Sequence, residues 1–307
     1  MDRVMANKAA LGKQVGGKPV VDRVTLGFLN GALGMLIFSA SLPATRVAVA
    51  DFDPVFLTLA RAAIAGLLGL ALLLLFREKR PLRTDVLPLV VVSLCVVIGF
   101  PLLTALALRH VTAAHSIVFI GLLPLATALF GVLRGGERPR PAFWLLSGLG
   151  SALVVGFALT QGFAAAPTGD LLMLAAIVVC GWGYAEGATL SRRLGGWQVI
   201  SWALLLALPV TASAALALRP ASMAATALPA WLGLAYVSLF SMLIGFVFWY
   251  RGLAQGGIAA VGQLQLLQPF FGLTLAGLLL GETVSWPMLV ASAAVAACVA
   301  GARRFAR

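Results

Sequence analysis

The chain has 307 residues, 61% of them hydrophobic and 10% charged, with a formal net charge of +12. Water-soluble domains carry about 25% charged residues, so a composition this poor in charge excludes a globular protein dissolved in water. The basic residues lie between long apolar runs and are not interleaved with aromatics, which excludes a nucleic-acid surface.

Unbroken apolar runs such as Ala62 to Phe76 and Leu87 to Leu108 predict membrane helices. They lack the period-two alternation of a membrane barrel. The polar, basic stretch Met1 to Arg23 leads straight into a full-length apolar run, so no cleaved leader is expected. Ten spans follow in chain order: Val24–Val47, Pro54–Phe76, Asp85–Ala107, Ala113–Leu133 and Ala142–Gly162, then Gly169–Leu190, Trp197–Leu218, Leu228–Tyr250, Ile258–Leu280 and Ser285–Ala302. Breakers such as Asp53-Pro54, Gly135-Gly136 and Gly195-Gly196 separate them. Cys95, Cys180 and Cys298 sit far apart inside apolar runs and read as small packing residues, not metal ligands.

Ten spans place both termini on one side of the membrane. Of the 22 Lys and Arg residues, only Arg46, Arg109 and Arg219 fall in loops of the opposite side, and Arg61 lies inside a span. All the others share the side of the termini, which is therefore expected to be cytoplasmic. One constant offset pairs Leu108 with Leu253, Ala114 with Ala259, Pro124 with Pro269, Gly136-Glu137 with Gly281-Glu282 and Gly156 with Gly301. Each half then holds five spans. Five is odd, so the halves enter the membrane from opposite sides, the inverted arrangement of secondary transporters with a midplane site. The expected divisions are a cytoplasmic N-terminal tail (1–23), a first repeat (24–162), a second repeat (169–302) and a cytoplasmic C-terminal tail (303–307).

These features resemble the EamA-type members of the drug/metabolite transporter superfamily. The likeness rests on the five-plus-five pattern, the span-ending Gly-Glu of both halves, Leu123-Pro124 and Gln268-Pro269, and Leu59-Ala60-Arg61 in the second span. It covers the chain from about Val24 to Ala302. Among members the chain looks most like the amino-acid exporters of the YddG type. The resemblance implies an all-α, polytopic fold with ten transmembrane helices as a 5+5 inverted repeat around a central cavity. It also implies a bacterial inner-membrane location and export of amino acids, aromatic or other apolar ones among them, or of related metabolites. It implies no cofactor or metal, a small-molecule substrate and the lipid bilayer as partners, and a monomer or weak dimer.

Polar groups inside spans are the candidate site residues, because each charge there costs about 2.5–3.5 kcal/mol on insertion scales. Arg61 either holds a substrate carboxylate, or reaches outward or bonds helix carbonyls. Glu186 lies about 24 Å along the sixth span from Asp170. It either takes up a proton, binds a substrate amine or pairs with Arg193. His115 and Phe119 share a face of the fourth span, and His115 is either a titratable group facing a cavity or a structural hydrogen-bond partner between helices. The same offset carries that face onto the ninth span, where Gln268 is the leading candidate for substrate contact and Gln263 and Gln265 flank it. Trp182, Tyr184, Phe246, Trp249 and Tyr250 either stack on a substrate or pack between helices, and Thr104 corresponds to Trp249. Glu137 and Glu282 end spans and read as structural. The chain lacks H-E-x-x-H, a nucleophile elbow and any clustered acid-base set, so an enzyme is the weaker reading. Export coupled to proton antiport remains the alternative to facilitated movement.

Overall fold

The computed structural model describes residues 22–111, 116, 119–160, 166–220, 223, 226–268, 270–272, 274–275 and 286–306. All regular structure among them is helical. Six stretches are long and apolar enough to cross a bilayer: Arg23–Ala48, Pro54–Leu75, Arg83–Ala107, Pro167–Ser191, Gly196–Ala217 and Leu228–Gly256. Leu123–Gly135 and Pro141–Gly156 are shorter apolar helices. The expected fourth, fifth, ninth and tenth spans lie partly outside the described residues.

In chain order, α1 (Arg23–Ser39) and α2 (Ser41–Ala48) meet at Ala40, and α3 is Pro54–Leu75. Asp53 caps α3 by accepting from the Val55 and Phe56 amides at 2.8 and 3.2 Å, with Pro54 at the first helical position. Then come α4 (Arg83–Val92), a π-helical stretch (Ser93–Gly99) and α5 (Phe100–Ala107), followed by α6 (Leu123–Gly135), α7 (Pro141–Thr160), α8 (Pro167–Ser191) and α9 (Gly196–Ala217). A second π-helical stretch (Val237–Ile244) joins α10 (Leu228–Tyr236) to α11 (Gly245–Gly256). Helix α12 (Ile258–Gly262) tightens into a 3-10 stretch (Gln263–Leu267), and α13 is Trp286–Phe305.

The two π-helical stretches hold corresponding places in the two halves. Each is closed by an amide bonding five residues back, Phe100 to Cys95 and Gly245 to Phe240. A Cβ on Gly99 would strike the Leu94 carbonyl, and one on Gly245 the Phe240 carbonyl, again five residues back. In the first half Pro101 contributes as well, because its ring removes a donor and crowds the carbonyl four residues earlier. Widened turns of this kind are rare and often mark functional places.

Packing is reciprocal. Helix α1 packs on α11, and α5 with its π-helical stretch packs on α8; α3 packs on α9, α7 on α13 and α6 on α12. The outward faces carry exposed leucines such as Leu67, Leu74, Leu87, Leu145 and Leu216, while Thr58, Arg61, Thr104, Ser238 and Gln263 are buried. That distribution is the inverse of a soluble protein's and fits hydrocarbon outside.

The α1–α11 contact depends on glycine. Gly27-Phe28-Leu29-Asn30-Gly31 faces Gly252-Leu253-Ala254-Gln255-Gly256, and a Cβ on Gly27 or Gly252 would collide with backbone of the opposite helix. Small residues four apart let helix backbones approach closely in membranes. Asn30 Nδ2 adds a bond to Gln255 Oε1 at 3.0 Å within this seam. Gly252→Val is therefore expected to destabilise the fold by about 2 kcal/mol or more. Gly148→Ala should cost nothing, since an added Cβ there meets nothing within 4 Å. Thermal unfolding in detergent checks both, and equal melting temperatures for the two variants would contradict this packing.

Candidate solute-binding site

Helices of both halves enclose a hollow with a free volume of about 50 Å³, room for only a few waters. Its wall comes from α1 and α2, α3, the two π-helical stretches with α5 and α11, the start of α6, α8, and Gln268. Several wall residues correspond across the halves by the same offset: Val96 with Ser241, Pro101 with Phe246, and Leu123 with Gln268. The second half supplies the polar or aromatic member of each pair.

The polar side is built around Arg61. It is 7% exposed, and its Nη2 donates to Ser241 Oγ at 3.1 Å. Ser41 Oγ donates to the same Ser241 oxygen at 2.9 Å. The apolar side is an aromatic cluster. Phe38 and Phe246 have ring centroids 4.9 Å apart, and Tyr184 lies 5.9 Å from Phe246 and 5.5 Å from Trp249. Gln268 Nε2 donates to the Phe38 carbonyl at 3.4 Å, and Thr104 Oγ1 donates to the Phe100 carbonyl at 2.7 Å.

The structure brings Arg61, Thr104, Tyr184, Phe246 and Gln268 together in this wall. Trp249 and Tyr250 are fully buried behind it, Tyr250 donating to the Gly183 carbonyl at 3.3 Å. Gln263 and Gln265 are enclosed on the 3-10 stretch, outside the wall, with no partner for their amides among the described residues. Phe119 is buried one residue before the wall residue Ile120. Trp182 points away from the hollow instead, 39% exposed and stacked on Phe130 of α6 at 6.2 Å, because it lies about 200° around α8 from Tyr184. His115 lies outside the described residues. The sequence reading missed Ser41, Ser241 and Phe38. Ser241 stands at a half-to-half correspondence with an apolar residue, so the repeat comparison gives no hint of it.

One end of the bundle is clasped by charge. Glu186 accepts from Arg134 Nε at 2.7 Å and Nη2 at 3.1 Å. Arg192 meets Glu137 at 3.2 Å, and Arg193 meets Asp85 at 2.6 Å. Glu186 does not pair with Arg193, as spacing alone allowed; seven residues along one helix are about 10 Å apart, and the neighbouring helix ends come closer. Glu137 also accepts the Ile258 and Ala259 amides at 2.6 and 2.7 Å, tying the end of α6 to the start of α12. This bears out a structural role for that residue. At the opposite end, a recess of about 470 Å³ is framed by residues 49–54 and by Ala105, Leu108 and Arg109. Thr104 in the hollow and Leu108 in the recess are one turn apart on α5 and its end.

An all-helical, inside-out bundle with a small central hollow defines a multi-pass membrane protein built to handle a solute. The chain belongs to the EamA-like transporter family, whose model matches residues 25–159 and 167–303. It is therefore a membrane transporter and not an enzyme. It is 67% identical over 287 residues to the uncharacterized transporter YdeK of Bacillus subtilis (strain 168), covering 94% of this chain and 100% of that protein. An uncharacterized transporter of Archaeoglobus fulgidus is 28% identical over 264 residues, covering 78% of this chain and 84% of that one. A crystal structure 22% identical in sequence superposes with a TM-score of 0.75 over 90% of this chain and 97% of the other, which shows a shared fold.

The clasp yields an asymmetric prediction. Glu186 is buried, with its side chain 5% exposed, whereas Arg134 is 51% exposed. Arg134→Ala strands a buried carboxylate and is expected to cost about 1–3 kcal/mol. Glu186→Gln removes the buried charge itself and should cost less than about 1 kcal/mol. Thermal unfolding of both variants checks this, and equal losses would contradict it.

Proposed function

We propose that the chain exports amino acids, aromatic or other apolar ones among them, or related small metabolites across a bacterial inner membrane by alternating access. The observation that carries the proposal is the hollow where the halves meet, walled by corresponding residues of each. In this reading the two segments are inverted five-span repeats, 24–162 and 169–302, with the tails 1–23 and 303–307 cytoplasmic. Reciprocal packing and matched π-helical stretches support the repeats. The concentration of Lys and Arg in one set of loops supports the orientation. The likeness to YddG-type exporters supports amino acids as the cargo class.

A drug-sized ligand site takes about 300–1,000 Å³. The hollow is far smaller, so in this reading it is an occluded state that opens when the clasped end or the recessed end parts. The clasped end carries the basic loops and is the cytoplasmic one. Facilitated movement fits better than proton antiport. No Asp or Glu lines the hollow among the described residues, and Glu186 is held bidentately by Arg134.

Counterflow into proteoliposomes loaded with a panel of amino acids is the test. Labelled solute is expected to accumulate at a rate insensitive to an imposed proton gradient. Absence of flux for every solute would contradict the proposal, and a rate that follows the gradient would favour antiport. At the site, Gln268→Ala is expected to raise KM by about fivefold, the worth of one neutral hydrogen bond of about 1 kcal/mol. Unchanged kinetics would remove Gln268 from the site.

A further inference from the structure

Arg61 differs from the other ionised groups buried in the bundle. Asp85 and Glu186 are also buried, and each meets an arginine. Arg61 is 7% exposed and meets no acid among the described residues. A guanidinium has five N–H donors. One of them is used on the neutral Ser241 hydroxyl, and Nε has no partner among the described residues. The Ser241 oxygen accepts from the arginine, which can only donate, and Ser41 Oγ lies 2.9 Å from that same oxygen. These contacts hold the cation in place without neutralising it.

Such a charge is costly to keep in a membrane interior unless something pairs with it. The position corresponding to Arg61 in the second half is Leu206, which is exposed on the outer face. The charge is thus a feature of one side of the hollow and not a repeated framework element. The orphan Nε lies on the edge of the guanidinium fork that takes a carboxylate bidentately. One fixed positive charge matches a monoanion; a phosphate monoester carries close to two charges near neutral pH and would be left half compensated. Much of the remaining wall is aromatic, from Phe38, Phe100, Tyr184 and Phe246. Among the described residues it offers an ammonium group no carboxylate, only ring faces, the neutral Gln268 and hydroxyls.

We propose that Arg61, positioned by Ser241 and Ser41, is a carboxylate-binding subsite, and that the transported solute is a monocarboxylate with an apolar or aromatic body. The carboxylate is required and an amino group is optional. This rests on the export reading and narrows its substrate class.

The test uses full-length protein in detergent and four probes that share one body: 3-phenylpropionate, phenylalanine, phenethylamine and 2-phenylethanol. Apparent Kd comes from the rise in melting temperature with probe concentration. The two acids are expected to bind within about tenfold of each other, and the amine and alcohol at least about tenfold more weakly. Arg61→Gln should weaken both acids by about tenfold or more and leave the other two unchanged, while Arg61→Lys recovers part of the loss. Should Arg61→Gln fail to fold, Ser241→Ala takes its place and is expected to weaken the acids by about threefold or more. Equal binding of all four probes, tighter binding of the amine, or acid binding unmoved by these variants would overturn the subsite. The export reading then survives if counterflow of the amino-acid panel persists. Absence of counterflow for every solute would overturn both.

Discussion

A polar group without a partner in hydrocarbon costs several kcal/mol, and this constraint organises the molecule. Backbone groups meet it inside helices. Side chains meet it by turning inward, so that Ser41, Ser241, Arg61 and Gln268 converge on one hollow while leucines face out. Close approach of the helices makes the inward side dense. The glycine seam between α1 and α11 brings backbones into contact, and the Asn30–Gln255 bond is satisfied within it.

The two ends of that hollow are held differently. At one end three arginines pair with Glu186, Glu137 and Asp85, and Glu137 also caps the start of α12. At the other end a recess reaches within one helical turn of the hollow. The π-helical stretches lie beside the hollow at corresponding places, and a widened turn is a place where a helix can change direction. In the proposed cycle, breaking the clasp while the recess closes moves access from one side to the other. The Glu186 and Asp85 carboxylates are buried against half-exposed arginines, so opening this end must bring water to them as the pairs part.

Much of the fold was legible in the sequence. Apolar runs marked Pro54–Leu75, Arg83–Ala107, Pro167–Ser191 and Gly196–Ala217 to within a few residues, because length and composition alone decide a span. Arg61, Tyr184, Phe246, Thr104 and Gln268 were picked out by the cost of burying polarity or by ring chemistry, and the structure gathers them in one wall. Other features depend on three-dimensional neighbours. The π-helical stretches arise where Gly99 and Gly245 tolerate a carbonyl five residues back, which no periodicity reveals. Trp182 and Tyr184 stand two residues apart on one helix, so only one of them can face the hollow. Glu186 finds its partner on α6 and not on its own helix, since helix ends converge across the bundle.

The central claim is that a solute passes through the hollow when the clasped end opens. Replacing Arg134 and Glu186 with cysteines, in a background where Cys95, Cys180 and Cys298 are alanine, allows a short reducible thiol crosslinker to bolt α6 to α8. Counterflow of the transported solute is then measured before crosslinking, after it, and after reduction. Flux that stops on crosslinking and returns on reduction is the predicted result. Undiminished flux through the bolted protein would contradict the account.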